Sequence, residues 1–126
     1  KEIEDKIDQA TQQGIQVIAV SMDSEERVMK TVESTEVKKL NIAYGMDEAT
    51  ARSWGLFMSS QRPNTYEPEL FSEPGLFVIT PDQIVAFVSI QSAPFTRPNF
   101  GDLLGGLAFI KKNDYPIRGD KTIILA

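Results

Sequence analysis

The chain has 126 residues, 41% of them hydrophobic and 25% charged, with a net charge of −5. This fits one soluble domain that buries a core without staples, and it argues against the clustered Lys and Arg of a nucleic-acid or anionic-membrane surface. With neither cysteine nor histidine present, disulfides, thiolate nucleophiles, zinc–thiolate sites and imidazole acid–base chemistry are excluded from these residues.

Ile3, Ile7 and Ala10 recur at helical spacing, and Gly14 stands where a helix stops. Nothing before Ile3 resembles an N-cap, so the expectation is a fragment of a longer protein that enters this helix part-way along. IQVIAVSM (15–22) is nearly continuous in apolar character, the pattern of a strand buried on both faces. Asp23, with Glu26 three residues on, suits the cap of a helix striped by Val28, Met29 and Val32. Leu40, Ile42 and Tyr44 alternate as a short half-exposed strand. Asp47 suits the cap of a helix carrying Ala51 and Trp54, closed by Gly55. MSSQRPNTYEPEL (58–70) has two prolines and no period, and reads as a long loop.

GLFVI (75–79) and IVAFVSI (84–90) read as strands, with Pro81 at the second position of a type I turn between them. So short a link predicts an antiparallel hairpin. Asn99 suits the cap of a last helix striped by Phe100, Leu103, Leu104, Leu107 and Ile110. Lys111 and Lys112 suit its negative end, and Pro116 follows its stop. Residues 1–116 form the expected domain; 117–126, with KTIILA, form a tail or an added strand. The order predicts an α/β fold with a mixed sheet. Pro74 at the mouth of an apolar strand is unusual, because proline cannot donate to a ladder.

Other signals carry blander explanations. The acidic groups Asp23/Glu25/Glu26 and Asp47/Glu48 fit helix capping better than a glycosidase pair or a magnesium site. GDLLGG (101–106) lacks the Gly-Lys-Ser/Thr ending of a phosphate loop. The Arg118-Gly119-Asp120 tripeptide is a chance-level match. Trp54 reads as core, with a groove lined by Trp54, Phe57 and Met58 as the alternative.

Three stretches resemble the peroxiredoxin-like (AhpC/TSA) branch of the thioredoxin-like fold: VIAVSMDSEE (17–26), YGMDEATARSWGLF (44–57) and FSEPGLFVITPDQIVAFVSIQS (71–92). The resemblance implies a thioredoxin-like mixed sheet with flanking helices and the N-terminal strand missing. It also implies a cis Glu73–Pro74 bond, and backbone groups before Pro74 left free for an extended substrate or partner. Glu73, Pro74, Gly75 and Arg97 are then the partner-facing residues, with Arg97 as a cation near the reacting sulfur. No residue here is catalytic and no cofactor or metal is implied. The redox cysteine is expected upstream, so the chain alone is expected to be inactive. Either the strands flanking the gap re-pair directly, or the TIILA tail, a swapped neighbouring chain or a separate segment is expected to fill it.

The function implied is thiol-dependent peroxide reduction or thiol–disulfide exchange by the intact protein. Its partner would be a thiol reductant or disulfide, with no nucleic acid or membrane involved, in a soluble and cytoplasmic setting. The alternative is a non-catalytic peptide-binding module, and a carboxylate hydrolase stands third.

Overall fold

The computed structural model describes residues 1–121; the TIILA segment lies outside them. The N-terminal helical stretch is broken at Lys6 into α1 (Glu2–Asp5) and α2 (Ile7–Gln12). Gly14 ends it at φ +76°, a backbone conformation that favours glycine. Ala10 packs there against Phe100 and Leu104 of α5 (Phe100–Asn113), with Ile3, Ile15, Val17 and Leu103 around them. Two carboxylates tie this end together. Glu2 accepts from the Phe100 backbone N–H at 2.8 Å. The buried Glu4 accepts from the backbone N–H groups of Lys38, Lys39 and Leu40 at 2.7, 2.7 and 2.8 Å. Burial pushes the Glu4 carboxyl up, but these three hydrogen bonds outweigh it and hold the group below its usual range.

β1 (Ile18–Val20) and β2 (Asn41–Ala43) pair in parallel across α3 (Glu25–Thr35), a β-α-β unit. The strand is shorter than expected and is not buried on both faces: Ile18 and Val20, on one face, are each 56% exposed, and among the described residues β1 pairs with β2 alone. Ser24 caps α3, accepting from the Arg27 N–H at 3.3 Å, in place of the expected Asp23. Asp47 caps α4 (Glu48–Ser53) through the Thr50 N–H at 2.7 Å, as expected. Asn99 caps α5 through the Asp102 N–H at 2.9 Å. Trp54, just after α4, is half-exposed and sets its ring edge-on to Phe77 at 4.8 Å.

The expected loop 58–70 is shorter than its composition suggested. β3 (Met58–Ser60) pairs antiparallel with β4 (Leu70–Ser72), leaving 61–69 as the connection. β5 (Gly75–Ile79) and β6 (Val85–Ile90) form the expected hairpin. Its turn is closed by the Gln83 N–H on the Thr80 carbonyl at 2.8 Å, with Pro81 second.

No cis peptide bond occurs among the described residues, so the Glu73–Pro74 bond is trans and the expected cis linkage is corrected. The bonds on either side of it explain this. The Glu73 N–H donates to the Phe57 carbonyl at 2.7 Å, and the Pro74 carbonyl accepts from the Gln91 N–H at 3.0 Å. An extended link satisfies both, and trans is the intrinsic preference by about 0.5–1 kcal/mol.

The strands do not form one continuous sheet among the described residues, and the expected sheet was one interrupted by a missing strand. Among the described residues the strands form three separate two-stranded ladders, β1–β2, β3–β4 and β5–β6. Among the described residues no strand joins the open edges of β1 and β5. The chain accordingly exposes 9698 Å², against about 6,700 Å² for a folded monomer of its mass.

Candidate functional site

Backbone parity determines where the site lies. In an antiparallel pair, the groups of successive residues point to alternate edges. The bonds Gln61 N–H to Glu69 O and Glu73 N–H to Phe57 O put the odd-numbered residues of β4 on the β3 side. The Gln91 N–H to Pro74 O bond puts the even-numbered residues of β5 on the β6 side. The partner strand therefore changes edge at Glu73–Pro74. Pro74 has no N–H to return to the Gln91 carbonyl, so the β5–β6 ladder ends there. Beyond Gln91 the chain turns into a short 3₁₀ helix, Pro94–Thr96, instead of continuing beside β4. Leu70 and Ser72 are left with their backbone groups on an edge that carries no strand among the described residues.

A cavity of about 380 Å³ occupies this place, lined by Arg62, Glu67, Phe71, Ser72, Glu73, Pro74, Pro94, Phe95 and Arg97. Its size lies within the usual range for ligand sites. Three of the four residues singled out from sequence, Glu73, Pro74 and Arg97, come together here. Gly75 does not line the cavity. Its close neighbour is the Leu56 side chain, into which any Cβ at this position would run. The close approach therefore serves packing of the α4–β3 link against β5.

The charges in the cavity are unequally satisfied. Arg62 and Glu67 form a clasp: Arg62 Nη2 and Nε reach Glu67 Oε1 at 2.7 and 2.9 Å, and the Arg62 backbone N–H donates to Oε2 at 3.0 Å. Thr65 donates to the Arg62 carbonyl at 2.8 Å, and Arg27 Nη2 donates to the Tyr66 carbonyl at 2.5 Å, so the 61–69 connection is tied to itself and to α3. The Arg62 side chain, then its backbone N–H, hold the Glu67 carboxyl below its usual range. Glu73 accepts the Ser59 hydroxyl at 2.7 Å. Arg97 is exposed and, among the described residues, makes no ion pair or hydrogen bond. Phe95 beside it is 87% exposed.

Sequence reasoning missed Arg62, Glu67, Phe71 and Phe95. The one available signal was an Arg and a Glu five apart inside a proline-flanked connection. The acidic groups 23–26 and 47–48 serve helix starts, and no cluster of three metal-ligating side chains occurs among the described residues. No helix among the described residues is long and apolar enough to cross a membrane.

A β-α-β unit, a β3–β4 ladder, a hairpin and a closing helix make an α/β fold with strands and flanking helices, consistent with the thioredoxin-like superfamily. Residues 1–88 match the AhpC/TSA family, and the chain belongs to that family. The match includes Arg62, Glu67, Glu73 and Pro74 and stops before Pro94, Phe95 and Arg97. None of the curated proteins compared matches the chain.

Proposed function

We propose that these residues are part of a thiol-dependent redox protein that reduces peroxides or exchanges thiols and disulfides, with its reactive cysteine on a segment outside the 126 residues. The observation that carries this reading is membership of the AhpC/TSA family over residues 1–88. In the peroxide reaction, the thiolate attacks one peroxide oxygen and the O–O bond breaks. The sulfur keeps the attacked oxygen as a sulfenic acid, and the other oxygen departs as alkoxide or hydroxide and takes a proton to become an alcohol or water. One external thiol then displaces water to form a mixed disulfide, and a second releases the reduced cysteine and an external disulfide. This chain contributes the wall formed by Glu73 and Pro74, with Arg97 as a cation that favours a thiolate. The open edges of β1 and β5 and the excess surface support a further strand seated between them. An outside segment, the TIILA tail or a swapped second copy would supply it.

Peroxide consumption with dithiothreitol tests the chemistry. The 126-residue chain should consume none above buffer. A longer protein carrying an upstream cysteine should consume it, and Cys→Ser should abolish the activity. Unchanged consumption after that replacement refutes the thiol mechanism.

The open edge at Leu70 and Ser72 favours a second reading, a peptide-binding module that needs no sulfur. An extended segment would add to β4 by main-chain hydrogen bonds.

A further inference from the structure

We infer that the cavity beside Pro74 takes an extended peptide with one carboxylate side chain, which pairs with the open edge of β4 and sets that carboxylate on Arg97. This deepens the peptide-binding reading and rests on it.

The edge supplies the pairing. The N–H and C=O groups of Leu70 and Ser72 point away from β3 and meet no strand among the described residues. Gln91 is the last residue on that side to bond the chain, so a peptide entering here continues the line of β6. The cavity charges choose the acid. Arg62 is held by Glu67 and Glu73 holds the Ser59 hydroxyl, which leaves Arg97 as the lining cation without a partner among the described residues. Glu67 and Glu73 lie in the same wall. A singly charged carboxylate answers Arg97 with less repulsion from them than a doubly charged phosphate.

Phe71, Pro94 and the exposed Phe95 supply the apolar part of the lining. Side chains of an extended peptide alternate between faces, so an apolar residue two positions from the acid shares its side. The recognised pattern is therefore an apolar and an acidic residue two positions apart in an extended segment.

The test is fluorescence anisotropy with the full 126-residue chain and a labelled eight-residue peptide. The probe carries one glutamate two positions after a phenylalanine. Three relatives accompany it: glutamate replaced by glutamine, glutamate replaced by phosphoserine, and alternate amides N-methylated. Arg97→Gln and Arg97→Lys are compared with the parent, each checked for fold by circular dichroism.

The glutamate peptide should bind about two- to five-fold more tightly than the glutamine peptide, the range of an exposed ion pair. Arg97→Gln should erase that difference, Arg97→Lys should restore part of it, and N-methylation should abolish binding. Equal binding of glutamate and glutamine peptides overturns the acid assignment while leaving the peptide-binding reading standing. Tighter binding of the phosphoserine peptide overturns it in favour of a phosphate ligand. No binding by any peptide overturns both the acid assignment and the peptide-binding reading, and none of these three outcomes bears on the peroxide assay.

Discussion

Replacing Leu104 with alanine is the sharpest test of how the helical end is held. Leu104 is fully buried (0% exposed), and it sits with Ala10 and Phe100 inside Ile3, Ile15, Val17 and Leu103. Leu104→Ala removes three carbons, worth roughly 2.4 kcal/mol at about 0.8 kcal/mol each. Incomplete collapse of the hole adds to this, which brings the expected loss to about 3 kcal/mol, within the range of buried Leu→Ala changes. With a urea slope of about 2 kcal/mol per molar, the midpoint should fall by about 1.5 M. Far-UV circular dichroism follows the helices, while fluorescence follows the single tryptophan, Trp54, which packs on Phe77 in the hairpin region. Leu104→Met keeps the volume and should cost less than about 1.5 kcal/mol. A loss below about 1 kcal/mol for alanine, or equal losses for alanine and methionine, would refute the packing described for α5.

Three further outcomes are expected. Pro74→Ala introduces an N–H facing the Gln91 carbonyl; this new amide should exchange more slowly than an unprotected one, with stability changing by less than about 1 kcal/mol because the gained bond and the lost chain stiffness offset. Asn99→Ala removes the cap on the Asp102 N–H and should cost about 1 kcal/mol in urea unfolding. For Glu4, a folded pKa below the unfolded one means that the unfolded chain takes up the proton first. Its contribution is complete above about pH 4.3 and is lost as pH falls through the lower folded value. Glu4→Gln should be less stable at neutral pH, and its stability should fall less steeply than the parent's in that acid window.

The sequence made the hairpin legible because the apolar runs and Pro81 agree on one turn, and β5 runs over the expected residues 75–79. β3 was illegible. Met58-Ser59-Ser60 lacks β-branched residues and owes its form to the ladder with β4, a tertiary effect. At α3 two adjacent residues could each cap, and the extended backbone of Ser24 decided between them. Glu73 and Pro74 were readable as one bend and Arg97 as a cation near the hairpin exit, whereas Arg62 and Glu67 join them because the β3–β4 connection folds back. Glu4 gave no signal, since its three donors lie more than thirty residues away.

The position of Pro74 follows from what a strand must do when its partner changes edge. Residues 71 and 73 turn toward β3, whereas residues 74, 76 and 78 turn toward β6. A residue with an N–H at 74 would offer the Gln91 carbonyl a return bond and favour β6 running on beside Ser72. Such an extension would close the edge that lines the cavity. Proline withholds that bond while its carbonyl keeps the Gln91 N–H, so β6 is anchored and stopped at one residue. The same omission leaves room for Phe95 and Arg97 opposite β4. Slowed amide exchange at Leu70 and Ser72 in Pro74→Ala, beyond position 74 itself, would show the edge closing and should accompany loss of peptide binding. Fast exchange at both residues with peptide binding retained would show that the proline does not keep this edge open.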